Sequence, residues 1–540
     1  MCSFFTALCF LLSCTQKEEA DLLVYNAVVY TVDSAFTITQ AIAVKDGKIA
    51  ATGSTDSLRK AFQAAKEIDA RGKALYPGLI DAHTHFYRYA LGLHSANLVG
   101  TGGWQEILDK LRSFAAQNKE GWLTGRGWDQ NDWAVKEFPS KEKLDELFPD
   151  RPVMLTRIDG HAAIVNTKAL KLAGVKAGLK LEGGVVETKN GQLTGILIDN
   201  AVRLVSSKIP IPSAGDIKEV LMAAQKNCFS VGLTTVDDCG LDYRQALLMD
   251  SLQKTGDLHM RVYAMLSDAE ANYNYLFANG KLKTDRMSIR SFKVYADGAL
   301  GSRGACLLEP YSDRPGQQGF LLSSAAHFDS VARIISEKGF QMCTHAIGDS
   351  GNRTMLRIYA KYLKGKNDLR WRIEHAQVIN RQDFSLFGAY SIIPSVQPTH
   401  ATSDMYWAAD RLGPVRAKGA YAYQQLLEQN GWIPLGTDFP VEDISPLKTF
   451  YAATVRKDAK GWPAGGYQIE NALTRQQALR GITMWAARSN FEESEKGSLE
   501  KGKFADFILL DRDLMKVDAA AILQTKVLAT YVNGALVHRQ

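Results

Sequence analysis

The 540-residue sequence predicts a closed eight-stranded α/β barrel with a small β-domain assembled from both chain ends. Three observations carry that prediction. Eight short apolar runs are separated by helix-length segments, several of those runs end in side chains that can bind a metal, and short alternating strands are confined to the two termini.

The chain begins with Phe4-Phe5-Thr6-Ala7-Leu8-Cys9-Phe10-Leu11-Leu12, an apolar run too short to span a bilayer as a helix, which stops at Ser13-Cys14 before polar sequence. Residues 1–20 therefore read as an export signal. Leu11-Leu12-Ser13-Cys14 resembles the lipobox of bacterial lipoproteins, which implies cleavage before Cys14, a lipid on that cysteine, and a membrane protein facing the periplasm or the cell surface. No Lys or Arg precedes the run, so a plain secretory signal and a buried N-terminal segment stay open as alternatives. From residue 21 strands follow at 22–32, 41–44 and 49–51, the last two joined by Asp46-Gly47, a two-residue hairpin signal. The other end has the same texture, with a strand at 504–510 and a hairpin around Asn533-Gly534. Neither end can bury a sheet face alone, so residues 21–76 and 491–540 are expected to join.

Between them, residues 77–490 hold the barrel. Its strand candidates are 79–85, 234–238, 261–266, 292–297, 342–345, 372–375, 392–397 and 433–438, and Thr474 with Gln477 reads as the capping box of a late helix. The gap between the first two candidates is too long for one crossover helix, so about 100–212 is an insertion. It is rich in Trp (Trp104, Trp122, Trp128, Trp133), more in keeping with packing than with a ligand cage, and it would emerge where a lid or substrate wall belongs. A charged fraction of 23% with a net charge of +6 and no Lys/Arg block gives no sign of nucleic-acid binding. Cys228, Cys239, Cys306 and Cys343 are too widely spaced for a zinc ribbon or a disulfide framework.

The chemistry lies at the strand ends. In PGLIDAHTH, His83 and His85 alternate on one strand and so share a face. Lys293, His345, His375 and Asp438 occupy comparable places on later candidates, and only 10 histidines exist in the chain. One such residue is easily structural; together they point to a metal site.

The motifs PGLIDAHTH, FKVYADGALGSR, THAIGD, RIEHAQ and LGTDFP resemble those of the metal-dependent amidohydrolase superfamily, in its YtcJ-like branch (amidohydrolase family 3), which includes N-substituted formamide deformylases. The resemblance implies a distorted (β/α)8 TIM barrel with a β-sandwich from both termini. It implies a zinc site with His83, His85, His345 and His375 as ligands and Asp438 as ligand or general base. It also implies that Lys293 is carboxylated and bridges a second metal, provided its amine is depressed by burial and nearby positive charge; a plain lysine paired with a carboxylate or with substrate is the alternative. His161, Asp297, Arg303 and His400 lie in family-like runs and are candidate pocket residues, with a salt bridge as the competing role for Arg303. The expected reaction is hydrolysis of a non-peptide carbon–nitrogen bond in a small amide or N-acyl substrate. Deamination, lactone hydrolysis, isomerisation, or a lipid-anchored binding protein without turnover are the other readings. The oligomeric state, a homo-oligomer included, is left open.

Overall fold

Seven parallel strands curve around a common core in the computed structural model, which describes residues 17–540. They are β1 (Leu79–Thr84), β2 (Leu233–Leu241), β3 (Arg261–Ser267), β4 (Met287–Tyr295), β5 (Gln341–Ala346), β6 (Arg372–His375) and β7 (Ile393–Ser395), each paired to the next in chain order. Their residues are almost all buried, as expected for strands covered by helices outside and packed side chains inside. Register fixes what the ends present: Tyr295 lies opposite His345, and Ala346 opposite His375.

The eighth candidate, 433–438, does not form a regular strand. It still closes the barrel through single bonds on both sides. Val396 donates to the Pro434 carbonyl (3.2 Å) and Gly436 to Val396 (3.0 Å), while on the other side Ala82 donates to Leu435 (3.2 Å) and Asp438 to His83 (2.8 Å). Two features explain the irregularity. A Cβ on Gly436 would stand 2.6 Å from the His83 nitrogen, so the two backbones approach closer than a ladder allows, and Asp438 takes a left-handed φ of 64°. Asp81 clasps the junction, accepting from the Thr437 hydroxyl (2.7 Å) and amide (2.9 Å) and from the His83 amide (3.2 Å).

The expected strand at 22–32 also divides. Glu18–Tyr25 and Val28–Tyr30 lie in different sheets, because Asn26, at φ 53°, turns the chain between them. One sheet is wholly N-terminal; the other orders Ala535–Arg539, Val527–Val532 and Phe507–Leu510 beside Ala74–Pro77, Val28–Tyr30 and Ile38–Thr39. Leu22, Val24, Ile42 and Val44 of the first share a core with Leu75, Phe507 and Tyr531 of the second. Asp46-Gly47 and Asn533-Gly534 both turn hairpins with positive φ at each residue, and Thr474 with Gln477 forms the capping box.

The stretch after β1 contributes a further six-stranded sheet, from Ala96–Asn97 to Gln192–Asp199, in which Trp128 and Trp133 are buried against each other and Phe138. Cys14 and the apolar run before it lie outside the described residues. Among those described, no helix is long and apolar enough to cross a membrane.

Candidate metal centre

His83 and His85 stand at the C-terminal end of β1, where each ring is oriented through its outer nitrogen. The His83 Nδ1 faces a Glu374 oxygen at 2.5 Å, that of His85 the Cys239 carbonyl at 2.9 Å, and that of His375 the Gln397 side-chain oxygen at 2.7 Å. Carboxylates and carbonyls only accept, so in each ring Nδ1 carries the proton and Nε2 presents a lone pair inward. Asp438 meets them: its Oδ1 lies 3.3 Å from His85 Nε2 and 3.6 Å from His83 Nε2, and it is buried without a hydrogen-bond partner. Donor atoms of His83, His375 and Asp438 all fall within 4.8 Å of one another. Unprotonated nitrogens facing an anionic oxygen repel one another, and a divalent cation among them would relieve that repulsion, so these residues fit a metal.

The protonation states agree. Burial lowers the imidazoles of His83, His85, His345 and His375, that of His85 to about 4 and those of His345 and His375 well below the usual range, so they are neutral at pH 7. Burial opposes the charge on Asp438, but the hydrogen bond from His400 helps to outweigh it and hold the carboxyl well below the usual range, so it is ionised. His345 stands farther out. Its ring is 4.5 Å from that of His375, centroid to centroid, and its Nε2 is 3.5 Å from the Gly298 carbonyl.

Lys293 is fully buried with its Nζ 3.2 Å from His83 Nε2. The expected depression of its amine is not found. Burial does pull it down, but Cys239, Tyr295, Glu374 and Asp438 outweigh burial and raise it.

The other sequence candidates divide. His400 joins the centre, with Nε2 3.2 Å from Asp438 Oδ2 and Nδ1 3.0 Å from Glu442. His161 reaches it from the added sheet, its ring 4.9 Å from that of His345 and its Nδ1 2.7 Å from Asp199. Asp297 is occupied: it accepts from the amides of Cys306 (2.8 Å), Ile347 (3.0 Å) and Gly348 (2.8 Å), and so ties the loops after β4 and β5 together. Arg303 makes an ion pair with Asp313 at 2.7 Å.

Sequence reasoning missed the residues behind the histidines. Arg372 and Glu374, both wholly buried, pair at 2.6 Å; Arg372 also holds Asp237 at 2.9 Å, and Glu374 orients His83. The available signal was Arg372-Ile373-Glu374 itself, two opposite charges at alternate positions of a buried strand. Two residues of the centre, His375 (φ 71°) and Asp438 (φ 64°), sit in the left-handed region, a local cost of roughly 1–3 kcal/mol each that the surrounding packing must offset.

Fold and site together define an α/β-barrel protein with a histidine- and carboxylate-lined centre at the C-terminal strand ends. The chain belongs to the amidohydrolase family, whose profile matches residues 66–538. It is 32% identical over 537 residues to Protein LONG AFTER FAR-RED 3 of Arabidopsis thaliana (95% of this chain, 91% of that one). It is 31% identical over 527 residues to the YtcJ protein of Bacillus subtilis (strain 168) (96% and 99%). It is 26% identical over 551 residues to the N-substituted formamide deformylase of Arthrobacter pascens (96% and 98%). Among solved structures, an uncharacterized metal-dependent hydrolase from Pyrococcus horikoshii OT3 superposes with a TM-score of 0.75 at 25% identity, covering 92% of this chain and 99% of that one.

Proposed function

We propose that this protein is a zinc-dependent hydrolase of a non-peptide carbon–nitrogen bond in a small amide or N-acyl substrate. The observation that carries the reading is the convergence of the His83 and His85 lone pairs on an unpartnered Asp438 oxygen in a buried pocket. Similarity over nearly the whole chain to a formamide deformylase supports the bond type. His83, His85, His375 and Asp438 would hold the ion, and His345 with Lys293 would serve a second one only if that lysine is carboxylated. Bound there, zinc supplies a water acidic enough to act as nucleophile near neutral pH and polarises the substrate carbonyl. The chain's own groups do the rest. Asp438 takes a proton from the attacking water and returns it to the leaving nitrogen, while His400, held between Asp438 and Glu442, fixes the carboxylate so that Oδ1 faces the imidazoles.

The same reading treats 21–76 and 491–540 as one β-sandwich and 77–490 as the barrel unit, with about 100–212 as its insertion. The core shared by Leu22, Val44, Phe507 and Tyr531 supports it. It also places the protein outside the cytoplasm, lipid-anchored through Cys14, on the strength of Leu11-Leu12-Ser13-Cys14; fatty-acid labelling lost in Cys14→Ala would bear that out. The function itself is tested by metal analysis and a screen of N-formyl, N-acyl and cyclic amides. Turnover that a chelator abolishes and zinc restores is expected. Full occupancy by zinc with no turnover of any amide counts against it.

A further inference from the structure

Among the charged side chains that the metal centre does not use, Arg456 stands apart. It is wholly buried, as are Arg157, Arg261 and Arg372, but each of those three pairs with a carboxylate. Among the described residues no carboxylate lies within 4.0 Å of the Arg456 guanidinium. Only its inner nitrogen is engaged, Nε donating to the Tyr467 carbonyl at 2.8 Å. Nη1 and Nη2 are both buried with no hydrogen-bond partner, which leaves both ends of the fork and a full charge without an acceptor.

The backbone fixes this position. Arg456 closes the helix Pro446–Val455 in the left-handed region, at φ 57°, and its carbonyl accepts from the Tyr467 amide at 2.6 Å, so main chain and Nε grip the same residue. Tyrosines surround the guanidinium. Its carbon lies 5.0 Å from the ring centre of Tyr423 and 5.6 Å from that of Tyr467, and the Tyr421 ring is 6.2 Å from the Tyr467 ring. Ring faces attract a cation, but they offer no lone pair to its N–H groups. The hydroxyls are turned elsewhere: that of Tyr423 donates to the Gln397 carbonyl at 3.0 Å and that of Tyr421 to Asp404 at 2.7 Å. A guanidinium taken out of water with both terminal nitrogens unpaired is a costly arrangement unless an anion completes it.

We propose that Arg456 holds a buried inorganic anion of the size and charge of chloride. One negative charge matches the one cation. A site enclosed by aromatic rings suits an ion that gives up its water readily, as the guanidinium itself does, and a wholly buried side chain does not admit the bulk of an organic acid. The site is independent of the hydrolase reading above, yet its walls back onto the metal centre. Gln397, whose carbonyl takes the Tyr423 hydroxyl, offers its side-chain oxygen to His375 Nδ1 at 2.7 Å. The Tyr421 amide donates at 2.8 Å to the carbonyl of Gln377, just beyond His375 in the chain. An anion on Arg456 therefore braces the wall that orients His375.

Thermal unfolding of the full-length protein, zinc-loaded and after chelation, is compared in sodium chloride and in sodium gluconate at equal ionic strength, gluconate being too large to enter. Chloride is expected to raise the melting temperature saturably, by about 2 °C at roughly a hundredfold excess over Kd, and to do so in both forms, whereas halide bound to zinc would act only in the first. In Arg456→Met, checked for folding by circular dichroism, the shift should vanish, while Arg456→Lys, which keeps the charge without the fork, should retain part of it. Diffraction from wild-type crystals soaked in sodium bromide needs no variant and should show an anomalous peak beside Nη1 and Nη2. If Arg456→Met does not fold, Arg456→Lys and the bromide map decide. Equal melting in the two salts, a shift confined to one form, an undiminished shift in a folded Arg456→Met, or a map with no bromide at Arg456 overturns the site. A bromide peak without any melting shift marks an adventitious ion only and overturns it as well.

Discussion

Glu374 is wholly buried between a guanidinium and an imidazole, with Arg372 Nε at 2.6 Å and His83 Nδ1 at 2.5 Å. Burial works against its charge, yet Arg372 and His83 hold the carboxyl well below the usual range. Glu374→Gln keeps the shape and removes the charge. Two separable losses follow. The first is stability: breaking a buried pair costs about 3–5 kcal/mol, and the low end applies because Arg372 keeps Asp237 and Ser395, each at 2.9 Å. The second is metal affinity. An amide at this position can offer either its oxygen or its NH2 to Nδ1, so the tautomer of His83 is no longer dictated, and the loss of such a partner typically weakens binding about 10–100-fold, or roughly 1.4–2.8 kcal/mol. Thermal unfolding of the metal-free protein reads the first, and zinc competition against a chromophoric chelator reads the second. A lowered melting point with wild-type zinc affinity would show that Glu374 serves Arg372 alone. No change in either would refute the account of how His83 is oriented.

Asp438→Asn should retain metal through the histidines and lose turnover by about 10²–10⁴-fold; wild-type rates in a metal-loaded variant would remove Asp438 from proton transfer. Gly436→Ala should destabilise the protein by about 1–3 kcal/mol and lower its metal content, because the new Cβ would meet the His83 backbone at 2.6 Å and push the closing segment away from β1. Differential scanning calorimetry with metal analysis checks this, and a variant matching the wild type in both would disprove the close approach. Zinc retention should be flat from pH 8 to about 5. A base whose pKa is lowered keeps its lone pair until the pH approaches that value, so for His85 proton competition sets in only near pH 4, and loss centred near 6.5 would mean exposed, ordinary histidines.

How much of this was legible in the sequence follows from the range of each interaction. The β1 pair of imidazoles was readable because strand alternation is local, and the two hairpins were readable because Asp46-Gly47 and Asn533-Gly534 carry their own left-handed geometry. The strand ends bearing His345 and His375 were readable as periodic apolar runs. What local rules could not reach are contacts across the barrel: Arg372 to Asp237, 135 positions apart in the chain, Glu374 to His83, 291 apart, and Asp81 to Thr437, 356 apart.

The eighth run failed as a strand for the same reason. Its apolar pattern favours extended backbone, yet the contact between Gly436 and His83 and the left-handed Asp438 favour an irregular path, and the second pull is set by a partner more than 350 residues away. His375 shows the mirror case: a regular strand brings it to the rim, and its positive φ then turns it away from the ladder. A residue in a perfect ladder could point only up or down the pleat. Leaving the ladder lets Asp438 aim Oδ1 at two imidazoles while Oδ2 meets His400, so the local departures from strand geometry fall on residues that line the centre.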